Sequence, residues 1–227
     1  MRYISTILIF FIGCQLTLNR HYVNPDYISN RRFNATLLVM PLSPDFVKKS
    51  TRDSLLAQKN STPTSLDQRE RNYFNHYMGP VISELTTADV IGIDPFFSAN
   101  ELTYSYKQLT FDEELTIQLL APDTGVIKYR NITPDFVLFI EDLHFEKEFV
   151  EERNGLGRWT SNKYTMDTGV KYLFWDNQSQ RIAAYGKLEE RMDLLNYPDK
   201  AIYLKVFESF ASEMIHNSPL VHKQVSL

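Results

Sequence analysis

The chain has 227 residues, 43% of them apolar and 13% aromatic, with a formal net charge of −4. That apolar content is enough to bury a sizeable core, and the acidic balance excludes the basic surface that nucleic-acid binding requires. A single cysteine, Cys14, excludes a disulfide framework within one chain, so stability has to come from packing.

The N-terminus has the three parts of an export signal. Arg2 supplies positive charge, residues 4–13 are apolar apart from Ser5 and Thr6, and Gly13 is a small residue before a possible cut. Ten helical residues span about 15 Å, half of a hydrocarbon core of about 30 Å. Beyond them Gln15, Thr17, Asn19 and Arg20 are polar, so the run is too short to cross a bilayer comfortably. The stretch Phe11-Ile12-Gly13-Cys14 resembles the lipobox of bacterial lipoproteins. The resemblance implies that residues 1–13 are cut away and that Cys14 becomes the first residue. Its thiol would carry a diacylglycerol and its amine a further acyl chain of the palmitate kind. One acyl chain holds a protein marginally, whereas two or three hold it stably, since each buried CH2 adds about 0.8 kcal/mol. Gln15 in place of an aspartate implies, by the enterobacterial sorting rule, the outer membrane with the domain facing the periplasm. The plain alternative is that Cys14 is one more apolar residue of a secretory signal or membrane segment.

Residues 14–33 read as a polar tether with a turn at Asn24-Pro25-Asp26, followed by a domain over 34–218 and a flexible tail over 219–227. Residues 35–40, stopped by Pro41, predict a buried strand. Residues 45–63 are weakly patterned. Thr64 and Ser65 offer caps for a helix using Leu66, Tyr73, Phe74, Tyr77 and Met78, at the end of which Gly79-Pro80 kinks the helix or opens a second one. A short strand over 89–94 follows. Alternation at Leu102, Tyr104 and Tyr106, again at Leu115, Ile117 and Leu119, and then residues 126–129 predict a meander. The unbroken run over 135–140 predicts a central strand buried on both faces. After a polar excursion over 146–162, residues 164–175 and 181–188 predict a hairpin around Asp176-Asn177-Gln178-Ser179-Gln180. Asp199 caps a closing amphipathic helix over 200–216. The fold class is therefore α/β (α+β): a mixed, largely antiparallel sheet with helices packed on it, ending in a β-hairpin and a C-terminal helix.

Leu38-Val39-Met40-Pro41, Pro134-Asp135-Phe136-Val137-Leu138-Phe139 and the stretch from Tyr172 to Ser179 resemble periplasmic assembly lipoproteins. Among these are the activators of penicillin-binding proteins, the curli-secretion lipoproteins and the N-terminal domain of the Tol-system propeller protein. The resemblance implies a non-catalytic module that binds another envelope protein, without cofactor, and it carries over no functional residue.

The best constellation for chemistry is Asp142, His144 and Glu146. On a regular strand they share one face opposite Leu143 and Phe145, as a divalent-metal site or a base would need, or as the solvated face of a strand leaving the core. His76 reads as a helix-surface residue. No Gly-rich phosphate loop, nucleophile elbow, His-Glu-x-x-His or Cys-x-x-Cys pair is present. Phe96, Phe97, Arg158 and Trp159 are candidate partner-binding residues, since aromatic side chains with arginine anchor interfaces, although Phe96 and Phe97 equally fit a core beneath a loop. Asn34, Asn60, Asn131 and Asn177 each open an Asn-x-Ser/Thr triplet, which in a eukaryotic source would indicate a secreted glycoprotein.

Overall fold

The computed structural model describes residues 19–40, 63–91, 104–111, 115–153 and 159–223. The elements are β1 (Arg20–Val23), α1 (Pro25–Ile28), β2 (Thr36–Val39), α2 (Pro63–Leu85), β3 (Asp89–Ile91), β4 (Tyr104–Thr110), β5 (Thr116–Pro122), β6 (Phe136–Arg153), β7 (Trp159–Asp176), β8 (Arg181–Leu194) and α3 (Lys200–His216). Six strands form one sheet in the order β1-β8-β7-β6-β2-β3, and β4 and β5 form a separate two-stranded sheet. β2 runs parallel to β3 and to β6, while β6, β7, β8 and β1 pair antiparallel. The sheet is therefore mixed and largely antiparallel.

The run at the start of β6 is apolar throughout because both of its faces are covered. Phe136, Leu138 and Ile140 pack towards α2 and α3, with Tyr172, Phe174, Phe74 and Phe207. Val137 and Phe139 point the other way, onto Ile117, Leu119 and Ala121 of β5. Helix α2 contributes Phe74, Met78 and Ile82, spaced four apart along one stripe, and continues through Pro80 as one helix. Asp199 caps α3, its carboxylate accepting from the Ile202 N–H at 3.2 Å.

The parallel step from β2 to β6 is locked at its start. Asp135 Oδ2 accepts from both the N–H and the hydroxyl of Thr36, at 2.8 and 2.9 Å, and the Thr36 hydroxyl oxygen lies 2.9 Å from the Asp135 N–H. The expected meander is reduced to the β4–β5 hairpin. Residues 126–129 are irregular and are held by Asn177, which is fully buried. Its side chain accepts from the Ile127 N–H at 2.7 Å and donates to the carbonyls of Ile127 and Pro134 at 2.8 Å. These bonds satisfy backbone groups that a strand would otherwise have paired.

Two expected boundaries are corrected. The tether over 14–33 is folded from Asn19 onward: β1 is an edge strand, and α1 is tied to the β7–β8 turn. The Tyr27 hydroxyl donates to Asp176 at 2.6 Å and Arg181 reaches Asp26 at 2.8 Å. The tail from 219 to 223 is docked as well. Leu220 is buried and bridges Arg32, and the Lys223 N–H donates to the Leu85 carbonyl. Neither outcome was marked by periodicity, because each rests on long-range backbone pairing of a short polar segment.

Phe139 lies between the main sheet and β5, buried to 1% exposure. Burying an unpaired carboxylate there costs several kcal/mol, comparable to a whole domain stability of about 5–15 kcal/mol. Phe139→Asp is expected to abolish cooperative thermal unfolding, followed by circular dichroism. A variant melting within a few degrees of the parent would refute the two-sided burial of β6.

Candidate functional site

Asp142, His144 and Glu146 do not converge. Glu141 pairs with Lys171 and His144 with Gly169, with a register shift between, so two residues of β6 face Val170 alone. Asp142, within this bulge, takes the left-handed conformation, with φ of 50°. Glu141, just before the bulge, faces β5 with Val137 and Phe139, and its carboxylate accepts from the Leu120 N–H. Asp142 instead meets Lys171, with Nζ 2.5 Å from Oδ2. His144 Nδ1 lies 2.9 Å from the Asp142 carbonyl oxygen, so this nitrogen carries the proton and donates. Among the described residues no three His, Cys, Asp or Glu side chains are grouped to hold a metal ion. His76 is exposed on α2 with its ring edge-on to Tyr77.

His144 fills the space above Gly169. A Cβ at Gly169 would lie 2.3 Å from its Cε1, so alanine there forces the ring aside. Gly169→Ala is expected to cost about 1–3 kcal/mol, as overpacking does. Adding His144→Ala should recover much of that loss, a coupling read from urea midpoints. A neutral Gly169→Ala would show that the ring is not held there.

A second polar chain joins three elements. The Tyr172 hydroxyl lies 2.9 Å from His21 Nδ1, and His21 Nε2 lies 3.3 Å from Glu213 of α3. Tyr172 reaches β1 across β8 only because Gly186 has no side chain, since a Cβ there would sit 2.4 Å from the ring. Burial holds the Tyr172 phenol well above its usual range. Burial also lowers the His21 pKa, against the opposing pull of Glu213. The neutral imidazole therefore accepts from Tyr172 and donates to Glu213. A histidine whose pKa is lowered by folding binds fewer protons in the native state, so stability is lost as pH falls below about 6.5. Urea midpoints should drop between neutral pH and pH 5, and His21→Gln should flatten that acid-side slope. An unchanged slope would remove His21 as its source.

The third cluster lies where α2 and α3 begin. Lys147 and Glu70 form a buried ion pair at 2.8 Å, and the Tyr203 hydroxyl approaches Glu70 at 3.4 Å. Burial opposes the charge on Lys147, but Glu70 and Tyr203 together outweigh it and the ammonium pKa stays above its ordinary value. The ammonium lies 5.3 and 5.4 Å from the ring centres of Tyr203 and Tyr197. Around it the rings run in two series, Phe149–Tyr164–Tyr197 and Tyr203–Tyr73–Tyr77, with centroids 5.1 to 6.1 Å apart. Lys200 sits over Tyr77 at 4.7 Å and Arg69 over Tyr73 at 5.4 Å. This aromatic and cationic end is the candidate contact surface.

The sequence alone points elsewhere for such a surface. Cys14, Phe96, Phe97 and Arg158 lie outside the described residues, and Trp159 is described only as the first residue of β7, paired with Arg153. The aromatic end was missed because its rings come from α2, β6, β7, the segment after β8, and α3. Of the Asn-x-Ser/Thr sites, Asn177 is enclosed and engaged, Asn34 and Asn131 are exposed, and Asn60 is not described. No described helix is long and apolar enough to cross a membrane.

No family model and no curated protein matches this chain. Among solved structures it is similar to the PelC dodecamer from Paraburkholderia phytofirmans in space group P6, with a TM-score of 0.42 and 10% identity, covering 87% of this chain and 96% of that one. A leucine-to-methionine variant of the same dodecamer, in space group C2, gives a TM-score of 0.39 at 10% identity over 87% and 95%.

Proposed function

We propose that the protein is a lipoprotein of the cell envelope, anchored through Cys14 in the outer membrane and facing the periplasm. In this reading the folded domain is a non-catalytic module that binds another envelope protein. The observation that carries it is the apolar run closing on Gly13-Cys14 immediately before a folded domain. Only residues 15–18 separate the cysteine from Asn19, where the described chain begins. A chain of that length reaches at most about 18 Å, so an acylated Cys14 keeps the domain against the lipid surface. A module held this close meets membrane-proximal partners at high effective concentration, which is what an assembly role needs.

Metabolic labelling with a fatty-acid analogue tests the anchor. The wild type should be labelled and Cys14→Ser should not, and the intact mass of the mature chain should place residue one at Cys14. Equal labelling of both forms would sink the proposal.

A further inference from the structure

We propose that the end of the sheet carrying Phe149, Leu195 and Tyr197 is the surface that rests on the bilayer; this rests on the anchored reading above. The direction in which the N-terminal chain leaves the fold carries it. β1 runs antiparallel to β8, with Arg20 opposite Lys187 and Val23 opposite Ala184. The Asn19 side chain accepts from the Glu189 N–H at 3.2 Å, which fixes the departure point of the preceding residues. Read from Val23 back to Asn19, the described chain points the way β8 runs, from Glu189 towards Leu194.

Reach then separates the two ends of the molecule. Cys14 lies at most about 18 Å from Asn19. The end of β8 at Leu194 is about 17 Å from Glu189, at roughly 3.3 Å per strand residue. The opposite end begins at Arg181, about 26 Å from Glu189 by the same measure. An anchor at Cys14 therefore reaches the level of the first end and falls short of the second. Beyond Leu194, which pairs with Tyr164, β6 and β7 continue as a two-stranded ribbon to the pair Arg153–Trp159. At the same spacing that ribbon runs about 16 Å past Leu194, so with Cys14 at the level of Leu194 it enters the lipid or leans along its surface.

The residues at this end suit the interface. Phe149 is 41% exposed, Leu195 87% and Tyr197 45%. Aromatic rings with a polar tip settle at headgroup depth, and exposed apolar groups gain from leaving water. Exposure alone does not choose the end, since Ile28 is 61% and Phe33 70% exposed on the opposite side, so the anchor's reach decides. Charge does not choose it either. Lys200, Arg69 and Arg191 are interspersed with Glu148, Asp193 and Asp199, and Lys147 is paired with Glu70. The contact is one of apolar insertion beside an anchor, with no dependence on anionic lipid.

The test places the photo-crosslinker benzoylphenylalanine in place of Leu195, Tyr197, Tyr22, Ile28 or Phe33, one at a time. Two forms of the mature chain are compared on phosphatidylethanolamine vesicles with and without phosphatidylglycerol: the naturally processed chain, and one whose Cys14 is coupled to a maleimide phospholipid. Irradiation should add phospholipid mass at 195 and 197 several-fold more than at 28 and 33, with or without the anionic lipid. Equal yields, higher yields at 28 or 33, or a preference for 22, which would mean a side-on pose, would overturn the orientation. Since the coupled form carries its anchor by chemistry, adducts at 195 and 197 there alongside an unacylated natural Cys14 would support this face and overturn only the anchored reading. Acylated Cys14 without the preference would do the reverse.

Discussion

Burial of β6 on both faces is the constraint from which the rest of the architecture follows. A strand reading Phe136-Val137-Leu138-Phe139-Ile140 has no face that can be left to water, so one layer is required above it and another below. The helices α2 and α3 supply the first, and the β4–β5 hairpin with residues 127–129 supplies the second. Each buried large apolar side chain stabilises by about 1.5–3 kcal/mol, so losing either layer would remove several such contributions at once. The long β6–β7 pairing then carries this central stretch out beyond the layers, as a ribbon that the core itself does not need.

The bulge at Asp142 is where the strand passes from one regime to the other. Before it, even-numbered residues face the helices; after it, Leu143, Phe145 and Lys147 do. A regular strand would have put Asp142 and His144 under the helices, where their charge and polarity would lack partners. The extra residue changes the phase, so that Asp142 meets Lys171 and His144 lies over Gly169. A single left-handed residue thus moves a pattern that looks like a ligand set in one dimension away from the helices, where no three of its groups gather to hold a metal ion.

What could be read from the sequence was what depends on near neighbours. The β6 run, the hairpin around the turn at Asp176 to Gln180, and α3 with its Asp199 cap each carry their signal within a few residues. The parallel placement of β2 beside β6 and β3 had no such signal, since the Thr36–Asp135 lock joins residues 99 apart. β1 was unreadable for the same reason: four residues of mixed polarity become a strand only because β8 offers an edge. The aromatic end was legible one ring at a time, but Tyr73, Phe149, Tyr164, Tyr197 and Tyr203 are brought together by the order of strands and helices, which no local pattern encodes.

β1 is a short edge strand, and backbone pairing over four residues would hold it weakly. Its side chains add the missing grip by engaging both layers. His21 turns to the helix face, joining Tyr172 and Glu213. Tyr22 turns to the other face and stacks on Tyr185 at 4.8 Å, and the Tyr185 hydroxyl donates to the Thr110 carbonyl of β4 at 2.5 Å. A pull on the N-terminal chain is therefore shared between α3 on one side of the sheet and β4 on the other, through neighbouring residues of β1. Unfastening β1 requires breaking polar and stacking contacts in both layers together with the backbone ladder. The described chain thus begins at a fixed point on the body, and in the proposed anchored reading a fixed departure point combined with a reach of about 18 Å would turn an anchor into an orientation.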